Sequence, residues 1–273
     1  MENLMRTFEK HLIEEEKSNI TIEKYMRDVR KFCGFAGTQS ITKEVVINYK
    51  KFLIEAGYAV RSINSMLASL NSFLEYNGLK DCKVKSMKTQ KQIYCKEDKE
   101  LTKAEYIRLL STAKKQPRLY FVIQTICGTG IRVSELSYFT VEAVKCGEIV
   151  VSCKNKTRTI LLPRKLQKEL LQYAEKCGIT TGIIFRTKSG KALDRSNIWA
   201  EMKKLCMDAK VCPTKVFPHN LRKLFARTFY KIEKDIAKLA DILGHGSIDT
   251  TRIYIISTGT EHRRKIENLG LVV

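Results

Sequence analysis

The chain has 273 residues, of which 44% are hydrophobic and 29% charged, and its 50 Lys and Arg against 29 Asp and Glu give a formal charge of +21. This apolar content is typical of one large or two modest folded domains and excludes a chain that is disordered throughout. The sequence has neither an apolar run as long as a membrane span nor a secretory signal pattern, so we expect a soluble, cytoplasmic protein.

The positive charge is concentrated in the C-terminal part of the chain. Residues 1–100 carry a net charge of +4, and residues 101–273 carry +17. Lysine and arginine displace counterions from phosphates, so a surface with this charge is typical of nucleic-acid binding. A protein that binds an anionic membrane surface, or one with a solvated basic face, would have the same net charge.

Cysteine and histidine usage argues against a disulfide framework or a metal site. The nine cysteines form no C-x-x-C pair, and the four histidines lack the local spacing of a zinc site. We therefore expect reduced thiols, no metal and no cofactor.

The first 80 residues predict a helical bundle. Apolar residues recur at helical spacing in four groups; the second follows Thr21, a predicted N-cap, and the last two end near Gly57 and Gly78. We place this first domain at residues 1–82. A lysine-rich linker is predicted at 83–98, either as a solvated tether or as a segment that contacts phosphates.

Residues 99–273 predict a second domain that is mainly helical. Thr102 and Glu105 form a capping box at the start of its first helix. A second helix over 120–127 is expected to break at the glycines of 128–130. Further helices are predicted over 166–174, 198–205, 221–230 and 235–243.

One antiparallel hairpin interrupts these helices. Alternating apolar residues predict strands over 148–153 and 158–162, joined by a polar turn at 154–157. The fold class is therefore mainly α, with a small antiparallel β-sheet in the second domain.

The sequence GTGIRVSEL, at 128–136, is the first of four polar patches. No strand precedes it and no third glycine follows at the required spacing, so it does not fit a nucleotide-binding loop. The glycines predict a turn that brings Arg132 to the start of a helix, with Glu135 on the same face. Taken alone, this pattern would be a surface Arg–Glu pair.

The other patches are HNLR, LGH and TTRIY. His219 and Arg222 are three residues apart at a predicted helix start, so both side chains lie on one face, and arginine suits bidentate contact with phosphate. His245 follows a helix that ends on glycine, and Tyr254 lies nine residues later. Each patch alone would fit a helix cap, a turn or a core residue.

Together with the KNKTR turn, these patches resemble the motifs of the tyrosine recombinases, or phage integrases, of the short Xer-like kind. The five motifs occur in the order and approximate spacing of that family, and the resemblance covers nearly the whole chain. It implies a SAM-like core-binding domain at 1–82 and a catalytic domain at 99–273, which would clamp duplex DNA between them.

The resemblance also implies a catalytic set, consisting of Arg132, Lys154, His219, Arg222, His245 and Tyr254, supported by Glu135. Tyr254 would be the nucleophile, and the two arginines would clamp the phosphate. The hairpin turn is one residue shorter than the usual G-K-G-x-K-x-R, so the general acid is Lys154, which we favour, or Lys156. Lys223 stands where many relatives have a second histidine, which we interpret as a tuning difference.

Elementary chemistry agrees with these roles. Arginines around a phosphodiester supply the electrostatic stabilisation that Mg²⁺ gives elsewhere, and a phenol is a poor nucleophile until a base or cationic field eases its deprotonation. We expect a recombinase that works without metal or ATP, through a 3′-phosphotyrosyl intermediate and a Holliday junction. The alternatives are a type IB topoisomerase-like enzyme and a non-catalytic DNA-binding protein.

The expected partners are double-stranded DNA recombination sites and further copies of the chain. The resemblance implies a monomer in solution and a tetramer on DNA. The apolar C-terminus, including Leu269 and Leu271, would dock on a neighbouring protomer, although it could instead pack on its own domain.

Overall fold

The computed structural model describes residues 2–88, 97–153, 156–256 and 259–271. The chain divides into two compact units, residues 1–91 and 92–273. Within the described ranges, no helix is long and apolar enough to cross a membrane.

The first unit is a four-helix bundle. Its helices are α1 Glu2–Glu14, α2 Asn19–Ala36, α3 Lys43–Glu55 and α4 Val60–Tyr76. Their apolar faces bury an aromatic core that includes Phe8, Phe32, Tyr49 and Phe73. The predicted cap of α2 is wrong, because the helix begins after Ser18 and Thr21 lies in its first turn.

The chain beyond α4 stays on the bundle as far as residue 88. The side-chain amide of Asn71 donates to Val84 O at 2.9 Å and accepts from Val84 N at 3.1 Å. Asn64 holds the backbone of Met87 in the same way, at 2.9 and 2.7 Å. These asparagine pairs fix the start of the segment that the sequence predicts as a linker.

The second unit is mainly helical, with one hairpin. Its α-helices are α5 Lys103–Ala113, α6 Pro117–Thr129, α7 Val141–Cys146, α8 Arg164–Lys176, α9 Arg195–Lys204, α10 Pro218–Glu233, α11 Ile236–Leu243, α12 Ile248–Ile255 and α13 Gly259–Glu267. A 3₁₀ helix spans Val133–Tyr138. The capping box at Thr102 and Glu105 is confirmed. Residues such as Leu109, Ile123, Leu170 and Leu221 form the core.

The hairpin consists of β1 Glu148–Cys153 and β2 Lys156–Leu161. The strands are antiparallel, with Val151 opposite Arg158. The predicted second strand began two residues too late, because Lys156 already pairs with Cys153. Lys156 and Thr157 therefore belong to the strand and not to the turn, because the backbone pairing continues past the residues whose side chains alternate between apolar and polar.

Helix α6 also runs further than its sequence predicts. Residues 128 and 129 are helical, and only Gly130 ends the helix, with a left-handed φ of 67°. A Cβ at Gly130 would lie 2.3 Å from Cδ1 of Phe225 on α10. Gly130 thus serves both the left-handed cap and the close approach of α10 to this turn.

Candidate active site

Arg132 is fixed immediately after the turn at Gly130. It is the N-cap residue of the 3₁₀ helix, and its Nη1 donates to Glu135 Oε1 at 3.0 Å while its Nη2 donates to Gly244 O at 3.1 Å. The side chain is 35% exposed. Arg132 is therefore held by two fixed acceptors and still reaches solvent.

Glu135 is not a member of a surface pair. Its side chain is 2% exposed and also accepts from Arg158 of β2, with Nη1 3.0 Å from Oε1 and Nη2 2.8 Å from Oε2. Burial by itself raises the pKa of Glu135, but the hydrogen bonds and charges of Arg158 and Arg132 more than offset it, and the net pKa lies below its ordinary value. Glu135 is thus an ionised bridge between two arginines.

Gly244 allows Arg158 to reach this bridge. The glycine caps α11 with a φ of 63°, and a Cβ there would lie 2.6 Å from Nη1 of Arg158. A side chain at this position would push the guanidinium away from Glu135.

Arg222 is almost completely buried, at 2% exposure. Its Nη1 donates to Gly130 O at 2.6 Å, and its Nη2 donates to Leu243 O at 2.7 Å and to His245 Nε2 at 3.0 Å. Burial, and then the charge of Arg132, lower the pKa of Arg222 to about 10, so it remains charged at neutral pH. This one side chain joins the ends of α6 and α11.

The contact with Arg222 also fixes the tautomer of His245. Arginine can only donate, so Nε2 accepts, and Nδ1 carries the proton that it donates to Thr251 Oγ1 at 2.8 Å. Burial and the charges of Arg222, Arg132 and Arg158 lower the pKa of His245 to about 4. His245 is therefore neutral at physiological pH.

Tyr254 lies on α12 beside both histidines. Its hydroxyl is 3.5 Å from Nδ1 of His219, its ring centroid is 5.0 Å from each imidazole, and the guanidinium of Arg222 is 5.9 Å from the ring centroid. Burial, and then the charge of Arg222, lower the pKa of His219. A neutral imidazole at this position can accept the phenol proton, and such contacts tighten when substrate binds.

These groups border an open cleft of about 1000 Å³ in the second unit, which is lined by residues that include Arg132, His219, Arg222 and Tyr254. The cluster contains three guanidinium groups, those of Arg132, Arg158 and Arg222, and one carboxylate, that of Glu135. The pKa of each histidine is lowered, that of His245 to about 4. The cluster has an excess of positive charge and suits an anionic ligand. Among the described residues, no group of histidine, cysteine, aspartate and glutamate could hold a metal ion.

The structure thus brings together six of the predicted site residues, which are Arg132, Glu135, His219, Arg222, His245 and Tyr254. Lys154 lies outside the described residues. Lys156 begins β2, two positions before Arg158, and its side chain is likewise outside the description.

Lys223 faces another part of the second unit. It pairs with the buried carboxylate of Glu100, which also accepts from Arg227 Nη1 at 3.1 Å. The residue at the family's second histidine position is therefore engaged in an ion-pair network.

Two side chains of the site are not among the residues that the sequence predicts for it. Arg158 ends the KNKTR motif and Thr251 belongs to TTRIY, but neither motif marks them as site residues. Neither the alternation of residues along β2 nor the helical spacing around Thr251 reveals that Arg158 contacts Glu135 or that Thr251 contacts His245. The one available signal is the position of Arg158 in the hairpin motif.

Two family models match the chain. Residues 99–261 match the phage integrase family, and residues 5–78 match the phage integrase N-terminal SAM-like domain. Among curated relatives, the tyrosine recombinase XerA of Thermococcus kodakarensis is 30% identical, over 99% of this chain and 96% of the relative.

Solved structures are similar over nearly the whole fold. A lambda integrase dimer bound to a COC′ core site has a TM-score of 0.74 at 18% identity, covering 95% of this chain and 96% of that one. A lambda integrase tetramer bound to a Holliday junction has a TM-score of 0.73 at 17% identity, covering 93% of this chain and 76% of that one. At these identities the likeness concerns the fold.

Proposed function

Since this chain belongs to the phage integrase family and is a tyrosine recombinase, we propose that it cleaves and rejoins DNA at specific sites through a covalent 3′-phosphotyrosyl intermediate. The observation that carries the proposal is the position of Tyr254, whose hydroxyl lies 3.5 Å from His219 in the cleft that Arg132 and Arg222 border. A phenol, an imidazole and two guanidinium groups thus meet in one place, which is what a nucleophile, a base and two phosphate-binding cations would require.

In the proposed step, the phenolic oxygen of Tyr254 attacks the scissile phosphorus while the bond to the 5′ oxygen breaks. His219 accepts the phenol proton, and a hairpin lysine, Lys154 or Lys156, protonates the leaving oxygen. The products are a phosphotyrosyl diester and a 5′-hydroxyl, so the phosphodiester bond energy is conserved. Attack by a different 5′-hydroxyl reverses the step and joins new strands without ATP.

The arginines would supply the charge that a metal ion supplies in other phosphoryl-transfer enzymes. Glu135 orients Arg132 and Arg158, and Thr251 holds His245 in the tautomer whose Nε2 faces Arg222. Because the backbone acceptors of Arg222 are already in place, little reorganisation would accompany phosphate binding. We therefore propose catalysis without a metal.

We also propose that two recombination sites assemble a tetramer from protomers that are monomeric in solution and act in the cytoplasm. Leu269 and Leu271 are 62% and 82% exposed in the second unit. Apolar side chains this exposed favour docking on a neighbouring protomer. The solved lambda integrase tetramer on a Holliday junction supports this assembly by analogy.

The decisive experiment incubates the full chain with a library of nicked suicide substrates and sequences the covalently trapped DNA. The wild type should form a covalent complex in EDTA, and Tyr254→Phe should bind DNA equally well yet form none. Trapping by the Phe variant would refute the assignment of Tyr254. Loss of trapping in EDTA with recovery in Mg²⁺ would refute the metal-free chemistry.

A further inference from the structure

The 3₁₀ helix Val133–Tyr138 ends on a tyrosine that the proposed chemistry leaves unused. Tyr138 is 37% exposed, so burial in the core does not account for it. Its hydroxyl donates to Ser152 O of β1 at 2.7 Å. The two residues belong to different elements and are 14 positions apart in the sequence, so this bond ties the 3₁₀ helix to the hairpin.

Tyr138 shares one face of the 3₁₀ helix with Glu135. Such a helix has three residues per turn, so side chains three apart lie above one another, about 6 Å apart along the axis. Arg132, the N-cap residue, precedes Glu135 by one turn. The row therefore runs from the arginine that we propose for phosphate binding to the hairpin.

The hairpin is held on both of its strands. Glu135 accepts from both terminal nitrogens of Arg158 on β2, at 3.0 and 2.8 Å. Tyr138 donates to Ser152 on β1, and Ser152 pairs with Thr157, the residue before Arg158. The two anchors thus lie on neighbouring pairs of the ladder, one on each strand, and together they oppose bending of the hairpin away from the 3₁₀ helix.

The same two anchors flank the lysines of the hairpin. Ser152 precedes Lys154 by two residues, and Arg158 follows Lys156 by two. A general acid has to come within hydrogen-bond reach of the leaving oxygen, so a small shift of the strands that carry it slows proton transfer. Anchors on the helix that begins at Arg132 would therefore set the distance between the acid and the phosphate.

We propose that Tyr138 is a positioning residue for strand cleavage. Its hydroxyl, together with the ion pair of Glu135 and Arg158, holds the hairpin where a lysine protonates the leaving 5′ oxygen. This inference rests on the proposed function, because only that function gives the lysine a leaving group. Tyr138 acts through the backbone of β1 and does not itself touch the reacting atoms.

The first test removes the hydroxyl and keeps the ring. The net contribution of one neutral hydrogen bond corresponds to a factor of about two to ten, so Tyr138→Phe should slow single-turnover cleavage of an ordinary suicide substrate by about that factor. On a 5′-bridging phosphorothiolate, whose sulfur leaves without protonation, the variant should cleave at the wild-type rate. A defect of equal size on both substrates would overturn the proposal, because Tyr138 would then act on a step other than protonation.

Ser137→Ala is the matched control. Ser137 belongs to the same 3₁₀ helix and donates to Ser134 O at 3.1 Å, within that helix, so its loss does not release the hairpin. This variant should cleave both substrates at close to the wild-type rate. A slowed cleavage that the phosphorothiolate restores in Ser137→Ala as fully as in Tyr138→Phe would contradict a specific role of Tyr138.

A double variant tests whether Tyr138 acts through the lysine. The general acid is the lysine, Lys154 or Lys156, whose alanine variant the phosphorothiolate restores. In that alanine variant, Tyr138→Phe should cause no further loss on the ordinary substrate, because changes to two residues that act in one step are not additive. A further loss as large as that seen in the wild-type background would overturn the proposal.

Amide hydrogen exchange of the full chain without DNA separates this inference from the proposed function. The amides of β1 and β2 should exchange about two- to tenfold faster in Tyr138→Phe and at the wild-type rate in Ser137→Ala. Unchanged exchange in Tyr138→Phe would overturn the inference. A wild-type chain that forms no covalent complex with either substrate would instead refute the proposed function, and faster exchange would then still show that Tyr138 holds the hairpin.

Discussion

Replacing Glu135 by Gln should disrupt the site from within. The carboxylate accepts from the backbone N of Arg132 at 2.7 Å, from its Nη1 at 3.0 Å and from both terminal nitrogens of Arg158 at 2.8 and 3.0 Å. Glutamine keeps the shape but removes the charge and turns an NH₂ group toward the guanidiniums. Breaking a buried pair in this way costs about 3–5 kcal/mol.

For a unit of this size, such a loss should lower the melting temperature by roughly 6–20 °C. Circular dichroism melting and covalent trapping on a suicide substrate check both consequences, since Arg132 loses the acceptor that orients it. The control is Glu201→Gln, which breaks the 2.7 Å pair with Arg118, where both side chains are about one-third exposed. This control should cost less than about 1 kcal/mol.

The pH dependence of the Glu135 effect has a defined sign. The pKa of Glu135 lies below its ordinary value of 4.5, so its ionised form stabilises the folded state above that pH, and the contribution is lost as the pH falls through the folded pKa. The stability gap between wild type and Glu135→Gln should therefore persist near neutral pH and narrow in acid. A variant that melts within about 2 °C of wild type and cleaves at the wild-type rate would refute the bridging role.

Three further predictions follow from the hairpin, the histidines and the C-terminus. Lys154→Ala should strongly depress cleavage and recover on a 5′-bridging phosphorothiolate, whose sulfur leaves without protonation; recovery only in Lys156→Ala would move the general acid to that residue. The pKa of His245 is lowered from 6.5 to about 4 in the folded chain, so as the pH falls its imidazole is protonated in the unfolded chain before it is protonated in the folded one. The free energy of unfolding should thus decrease as the pH is lowered from about 6.5 to about 4. Chemical denaturation of His245→Gln should show a weaker dependence of this free energy on pH. Equal slopes in wild type and variant would exclude His245 as the source of the pH dependence. Deleting residues 268–273 should preserve single-site binding and abolish paired-site synapsis in a gel-shift assay, and normal synapsis would show that this tail does not build the interface.

The sequence by itself determined the helices and the family motifs. Periodic apolar residues predicted the four helices of the first unit, and the capping box at Thr102 marked the start of α5, because such signals involve residues within one or two turns. The same local character explains the errors. The start of β2 depends on pairing with β1, and the cap of α2 depends on a choice between Ser18 and Thr21, three residues apart.

The tertiary structure alone decided how the candidate residues work together. Glu135 meets Arg158 across 23 residues, and Arg222 reaches Gly130 O across 92 residues. Spacing along a helix indicates which residues share a face, but it does not indicate what that face packs against. The burial of Glu135, the tautomer of His245 and the contact of Tyr138 with the hairpin therefore follow only from the packed fold, because burial and hydrogen-bond partners are properties of surroundings that distant segments supply.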